Sequence, residues 1–111
     1  MQGAQKTTPT HIRAVLWKEA EQYFKQSLNA SEKLSPKTKS GLLNAYAILK
    51  SNQSEYSFSF EEKNKLLEQA YSMFSEAYRI FPQNTGLLRN LALVLRKQAD
   101  ISPFEQRHSL R

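Results

Sequence analysis

Two helical runs separated by a proline, between Ala70 and Leu95, constrain the fold of this chain more than any other feature. Small and large apolar residues recur there at three- and four-residue steps, and Pro82 interrupts the pattern. Proline disfavours helix at the residue before it and cannot donate a backbone hydrogen bond, so it separates one helix from the next. The segment therefore predicts two consecutive helices that pack as an antiparallel hairpin.

Residues that favour helix starts divide the rest of the chain into further helices. A hydroxyl residue followed by proline is typical of an N-cap and a first helical turn, and serine with glutamate three residues later is a capping box. Such signals occur at Thr8-Pro9, Ser35-Pro36, Ser59 with Glu62, and Ser102-Pro103 with Glu105. Asn84 is a further N-cap candidate, between the last two of these. They predict four main helices and a short last helix that begins near Pro103.

Apolar periodicity predicts which side of each helix is buried. The stripe of helix one consists of Ile12, Leu16, Ala20, Tyr23, Phe24, Ser27 and Leu28. Between helices two and three, Tyr56, Phe58 and Phe60 alternate with polar residues, which predicts a short extended segment that closes the core. A docking surface for a partner is the alternative for these three aromatic residues.

The chain is long enough for one small domain, at 111 residues with 40% hydrophobic content. We expect a flexible tail over residues 1–9 and a single helical domain over residues 10–111. Because the chain has no cysteine and no long apolar run, we expect no disulfides, no membrane insertion and a cytoplasmic location.

The helical segments resemble those of the tetratricopeptide repeat (TPR) family. Ala70-x3-Phe74-x2-Ala77, followed by Pro82, is similar to the second helix of a repeat, and Leu88-x2-Leu91-Ala92-x2-Leu95 to the first helix of the next. Ala20-x3-Phe24-x2-Ser27 repeats the spacing of Ala70, Phe74 and Ala77. Likewise, Gly41-Leu42-Leu43-Asn44 is similar to Gly86-Leu87-Leu88-Arg89-Asn90. The resemblance implies an all-α fold of antiparallel hairpins stacked as a short array.

The register of helix two stays open between two alignments. In the first-helix signature of the TPR family, a small residue comes four positions after the first large residue, and an aromatic residue comes three positions later. If Leu42 is the first large residue, Tyr46 occupies the small position. If Leu43 is the first large residue, Ala47 occupies the small position and Lys50 the aromatic one. The interval from Leu42 to Leu88 is 46 residues, about 12 more than the usual repeat of about 34.

A peptide-binding groove follows from the resemblance, because first helices line the groove of TPR arrays. Helices two and four carry six Lys or Arg residues and no carboxylate before Asp100, which favours an acidic or extended peptide. The groove residues that this implies are Lys39, Asn44, Arg89, Asn90 and Arg96.

Catalytic and metal-binding patterns are not found in the sequence. His11 and His108 lie far apart, there is no Gly-rich phosphate loop, and Glu21 is spaced to pair with Lys25 on one helix. We therefore expect no enzyme activity and no cofactor. The net charge of +6 leaves a small basic helix-turn-helix-like nucleic-acid-binding regulator as the alternative.

The function that the sequence favours is a non-enzymatic protein-interaction module, a scaffold or adaptor. Two hypotheses follow from having so few repeats, since solenoids usually need three or more. Either the chain is the TPR-like part of a larger protein, such as a bacterial signalling protein or response regulator, or it forms a homodimer that covers its open ends.

Overall fold

The computed structural model describes residues 10–30 and 33–101, which form four α-helices and no strand. We label them α1 (Thr10–Asn29), α2 (Pro36–Ser54), α3 (Phe60–Ile80) and α4 (Gly86–Ile101). The all-α class predicted from the sequence is confirmed for these residues. The tail predicted over residues 1–9 and the last helix predicted from Pro103 lie outside them.

Two of the predicted caps, Ser35 and Ser59, set helix starts as the sequence predicted. The Ser35 hydroxyl accepts a hydrogen bond from the Thr38 amide at 3.1 Å, with proline in the first turn of α2. The Ser59 hydroxyl accepts from the Glu62 amide at 3.0 Å. Each side chain satisfies one of the amides that a helix start leaves unpaired. At the other end of α3, the Phe81 amide bonds to a carbonyl inside the helix before Pro82 ends it.

Consecutive helices run antiparallel. Ser40 near the start of α2 bonds to the Ala77 carbonyl near the end of α3 at 2.8 Å, and Lys63 near the start of α3 reaches the Ser54 carbonyl at the end of α2. Gln98 of α4 donates to Asn64 of α3 in the same sense. The chain therefore folds back on itself at each connection.

The core lies where α2, α3 and α4 meet. Its buried residues are Ala47, Leu67, Ala70, Phe74, Ala77, Leu87 and Val94. The three alanines are wholly buried, which lets the helix backbones approach closely while the larger residues fill the space between them. Of the two residues that the sequence left open in α2, Ala47 belongs to this cluster, whereas Tyr46 is buried against α1, where its ring stacks on Phe24 at 5.1 Å.

Helix α1 is attached to the outside of α2 and has no buried residue. The single apolar stripe predicted for it is divided between two faces. Phe24 and Leu28 are half-buried on the side of α2, but Leu16 and Tyr23 are exposed on the other side. The prediction was wrong on this point, because two adjacent stripes of a helix can both be apolar while the neighbouring helix covers one.

The aromatic segment between α2 and α3 also differs from its prediction. It forms no strand, and Phe58 is 99% exposed, so it does not close the core. Tyr56 is exposed as well, although its ring lies 5.6 Å from that of Trp17. The two-residue alternation reflects a turn with side chains on both sides.

Candidate interaction surface

The helices α2 and α4 lie side by side and run parallel. Asn90 Nδ2 donates to Asn44 Oδ1 at 2.9 Å, and Lys97 Nζ donates to Ser51 Oγ at 2.9 Å. In both pairs the partners are 46 residues apart, so the two helices keep the same direction over about two turns. The structure thus brings together Asn44 and Asn90, two of the five predicted groove residues.

A shallow cavity of about 250 Å³ follows this seam between α2 and α4. Its base includes the buried Phe74 of α3, and its walls include Ile48 and Leu93, which are partly open to solvent. The Asn90 side chain also lines the cavity. The seam therefore combines an apolar base with amides.

The paired amides can bind a further polar group. Asn44 Oδ1 accepts from Asn90 Nδ2, and within the described part of the chain neither Asn44 Nδ2 nor Asn90 Oδ1 has a hydrogen-bond partner. One of these atoms is a donor and the other an acceptor. Such a combination matches the C=O and N–H groups of an extended peptide backbone.

The predicted cations are not all on this seam. Lys39 lies roughly 140° around α2 from Asn44, at 100° per residue of helix. The hydrogen bond from Arg79 lowers the pKa of Glu76 on α3 against the effect of burial, and the charges of Arg79 and then Lys39 lower it further. Arg89 and Arg96 are exposed on α4, on the side of Leu93. The seam therefore has two arginines along its α4 edge, and Lys39 lies elsewhere.

Two other lysines of these helices are held by carboxylates that sequence spacing does not predict. Lys97 Nζ lies 2.8 Å from Glu55 Oε2 at the end of the seam. Lys50 Nζ lies 3.1 Å from Glu21 Oε2, and Gln53 donates to the same oxygen at 3.1 Å. The positive charge of α2 and α4 is thus partly compensated, and along the α4 edge of the seam the exposed cations are Arg89 and Arg96.

The pKa of Glu21 reflects this contact between α1 and α2. Burial raises the pKa of this carboxyl, but the hydrogen bonds from Gln53 and Lys50, with the charges of Lys50 and Lys25, outweigh burial and hold it below its ordinary value. Glu21 is therefore ionised at neutral pH and ties α1 to α2. Burial, and then the Glu21 charge, raise the pKa of Tyr46.

A second cavity of about 350 Å³ lies between α1 and the start of α3. Trp17, Tyr56 and Phe58 line it, with Glu21 at its base. The Arg13 guanidinium of α1 lies 4.1 Å from the centre of the Tyr56 ring, so part of this aromatic surface already has a cationic partner within the chain.

Neither cavity holds, among its described residues, a group of side chains that could bind a metal ion. Among residues 10–30 and 33–101, no three His, Asp or Glu side chains are grouped as metal ligands would be. His11 is exposed at the start of α1, and His108 lies outside the described residues. In the same part of the chain, no helix is long and apolar enough to cross a bilayer.

No protein-family model matches this chain, and neither a curated protein nor a solved structure matches it.

The sequence did not point to Phe74, Ile48 and Leu93 as part of the seam. Phe74 is a core residue, and its ring also forms the cavity base. For Leu93 a signal was present, since it falls outside the stripe of Leu87, Leu91 and Val94 that faces the core. Apolar residues outside the core stripe of two predicted neighbouring helices are candidates for such a surface.

Proposed function

We propose that this chain is a non-enzymatic protein-interaction module of TPR-like hairpins, a scaffold or adaptor, which binds an acidic peptide in extended conformation along the seam between α2 and α4. The observation that carries the proposal is the Asn44–Asn90 pair in a seam with an apolar base and two exposed arginines at its edge. Asparagine amides would hold the peptide backbone, while arginine guanidinium groups would hold its carboxylates.

The arrangement of the helices supports the TPR-like part of the proposal. In this reading α2 and α4 are first helices and α1 and α3 are second helices. Parallel neighbouring first helices, with the intervening second helix packed on both, are the arrangement expected of stacked hairpins. The burial of Ala47 favours the register in which Leu43 and Ala47 correspond to Leu88 and Ala92.

Peptide selection tests this function directly. A random 12-residue phage-display library, panned against the purified chain, should yield peptides enriched in Asp and Glu. Fluorescence polarisation with a labelled selected peptide should then show binding that weakens at least tenfold in R89E and in R96E, since a charge-assisted hydrogen bond is worth about 1.5–3 kcal/mol. Binding should also weaken with salt.

A matched control separates local contacts from net charge. K25E makes the same charge change on α1, away from the seam, and should leave binding nearly unchanged. The proposal fails if the selected peptides lack acidic residues, or if R89E and R96E bind as well as K25E does.

A further inference from the structure

Helices α1 and α4, at opposite ends of the helix order, each present an exposed apolar face. On α4, Leu88 and Leu95 are 48% and 52% exposed, with the exposed Ala92 between them. On α1, Leu16 and Tyr23 are 53% and 65% exposed. Residues three, four and seven apart share one side of a helix, so each set is a continuous stripe.

The exposed face of α4 has a buried counterpart in α2. Aligning Gly41-Leu42-Leu43 with Gly86-Leu87-Leu88 places Leu88 at the position of Leu43, and Ala92 at that of Ala47. In α2 this face is covered: Ala47 is fully buried in the core, and Leu43 packs against the core beside it. Helix α3 covers this face of α2, because Ser40 donates to the Ala77 carbonyl of α3, and Ala70 and Ala77 of α3 lie in one core cluster with Ala47.

The exposed face of α1 likewise has a buried counterpart in α3. Aligning Ala20-x3-Phe24-x2-Ser27 with Ala70-x3-Phe74-x2-Ala77 places Tyr23 at the position of Met73. In α3, Ala70 and Ala77 are fully buried, and Met73 packs against the core. Apart from Leu95, whose equivalent Lys50 contacts Glu21 of α1, the two exposed faces are therefore the sequence equivalents of the two sides of the α2–α3 interface.

We infer that the chain associates head to tail with a second copy of itself, with α4 of one copy packed against α1 of the next as α2 packs against α3. The register of the α2–α3 pair, fixed by Ser40 with Ala77 and by Ser54 with Lys63, can be carried over to this contact. Ala92 then lies opposite Ala20, as Ala47 lies opposite Ala70 within one copy. This small-residue contact allows the same close approach of the two helices.

The exposed apolar residues of the two faces come together in this register. Leu88 lies within one residue of the position opposite Tyr23, and Leu95 within one residue of the position opposite Leu16. A symmetric antiparallel contact between two α4 helices would instead bring Arg89 of one copy close to Arg96 of the other, which disfavours it.

Head-to-tail contact uses two different faces and need not close into a ring, so it adds copies as the concentration rises. In sedimentation velocity from micromolar to millimolar protein, the weight-average mass should rise above the 12.8 kDa of a single chain. A92K blocks the α4 face and Y23K blocks the α1 face, and each variant alone should stay at the single-chain mass. Both residues are exposed, so circular dichroism should show unchanged helix content.

Mixing the two variants decides the direction of the contact. A92K keeps a usable α1 face and Y23K a usable α4 face, so the equimolar mixture should form a complex of twice the single-chain mass and grow no further. A45K and Y71K introduce the same side chain at exposed positions outside both faces, and should associate as the unmodified chain does. The inference is overturned by a single-chain mass at every concentration, by association of A92K or Y23K alone, or by a mixture that stays unassociated.

Discussion

Truncating Phe24 should make α1 open from the rest of the molecule more often, without unfolding the other helices. Phe24 is half-buried, and its ring stacks on Tyr46 with centres 5.1 Å apart and planes 12° from parallel. No residue of α1 is buried, so the helix has few other contacts to hold it. Segments with few buried apolar contacts open locally at a lower free energy than the core does.

The magnitude follows from this partial burial. Removing a fully buried phenylalanine side chain costs about 3–5 kcal/mol. About half of that, roughly 1.5–2.5 kcal/mol, is expected for the half-buried Phe24. The stacking of its ring on Tyr46 accounts for about 0.5–1.5 kcal/mol of this cost. Since 1.4 kcal/mol is a factor of ten, α1 opening should become roughly 10- to 70-fold more frequent in F24A.

Hydrogen exchange, measured peptide by peptide at a concentration where the chain is a monomer, resolves this effect. F24A should lower the protection of α1 amides by that factor and leave α3 and α4 nearly unchanged. Y23A is the matched control, because Tyr23 is 65% exposed and should change α1 protection by less than about threefold. An equal loss of protection in α3, or an equal effect of Y23A, would refute the reasoning.

Three further predictions concern individual contacts. S40A should lower the free energy of unfolding by about 0.5–1.5 kcal/mol in urea titrations. The Ala77 carbonyl loses its hydrogen bond from the serine hydroxyl but keeps the one from the Phe81 amide. A larger loss of stability would mean that the packing of Ser40 matters more than its hydrogen bond. S59A should cost about 1 kcal/mol in the same assay through loss of the α3 cap, and no change would mean that the cap is replaced by water. Because Glu21 has a lower pKa folded than unfolded, its stabilisation of the α1–α2 contact is present at neutral pH and is lost as the pH falls below the ordinary value of 4.5; Trp17 fluorescence should report a transition there that is absent in E21Q.

The helix boundaries could be predicted from the sequence because local chemistry decides them. Ser35, Ser59 and Pro82 act on the backbone within one turn, and each marks a boundary in the structure. The core alanines of α3 could be predicted for a similar reason, since their spacing places them on one side of the helix whatever covers that side.

Contacts between helices could not be predicted in the same way. Glu21 was expected to pair with Lys25 on its own helix, and Lys25 does contribute to its lowered pKa, but its hydrogen bonds are to Lys50 and Gln53 of α2. Periodicity states which residues share a side of a helix, and it does not state which neighbour covers that side. For this reason the exposure of Leu16 and Tyr23 was missed.

The full exposure of Phe58 has a consequence for proteolysis. An aromatic side chain in an exposed connection is a preferred site for chymotrypsin, and exposed loop tips are where folded chains are first cut. A cut after Phe58 leaves α1 and α2 intact in one fragment and α3 and α4 in the other. Because the α2–α3 interface does not include this peptide bond, the two fragments should remain bound to each other after the cut, and the protein could then be assembled from two separately made halves.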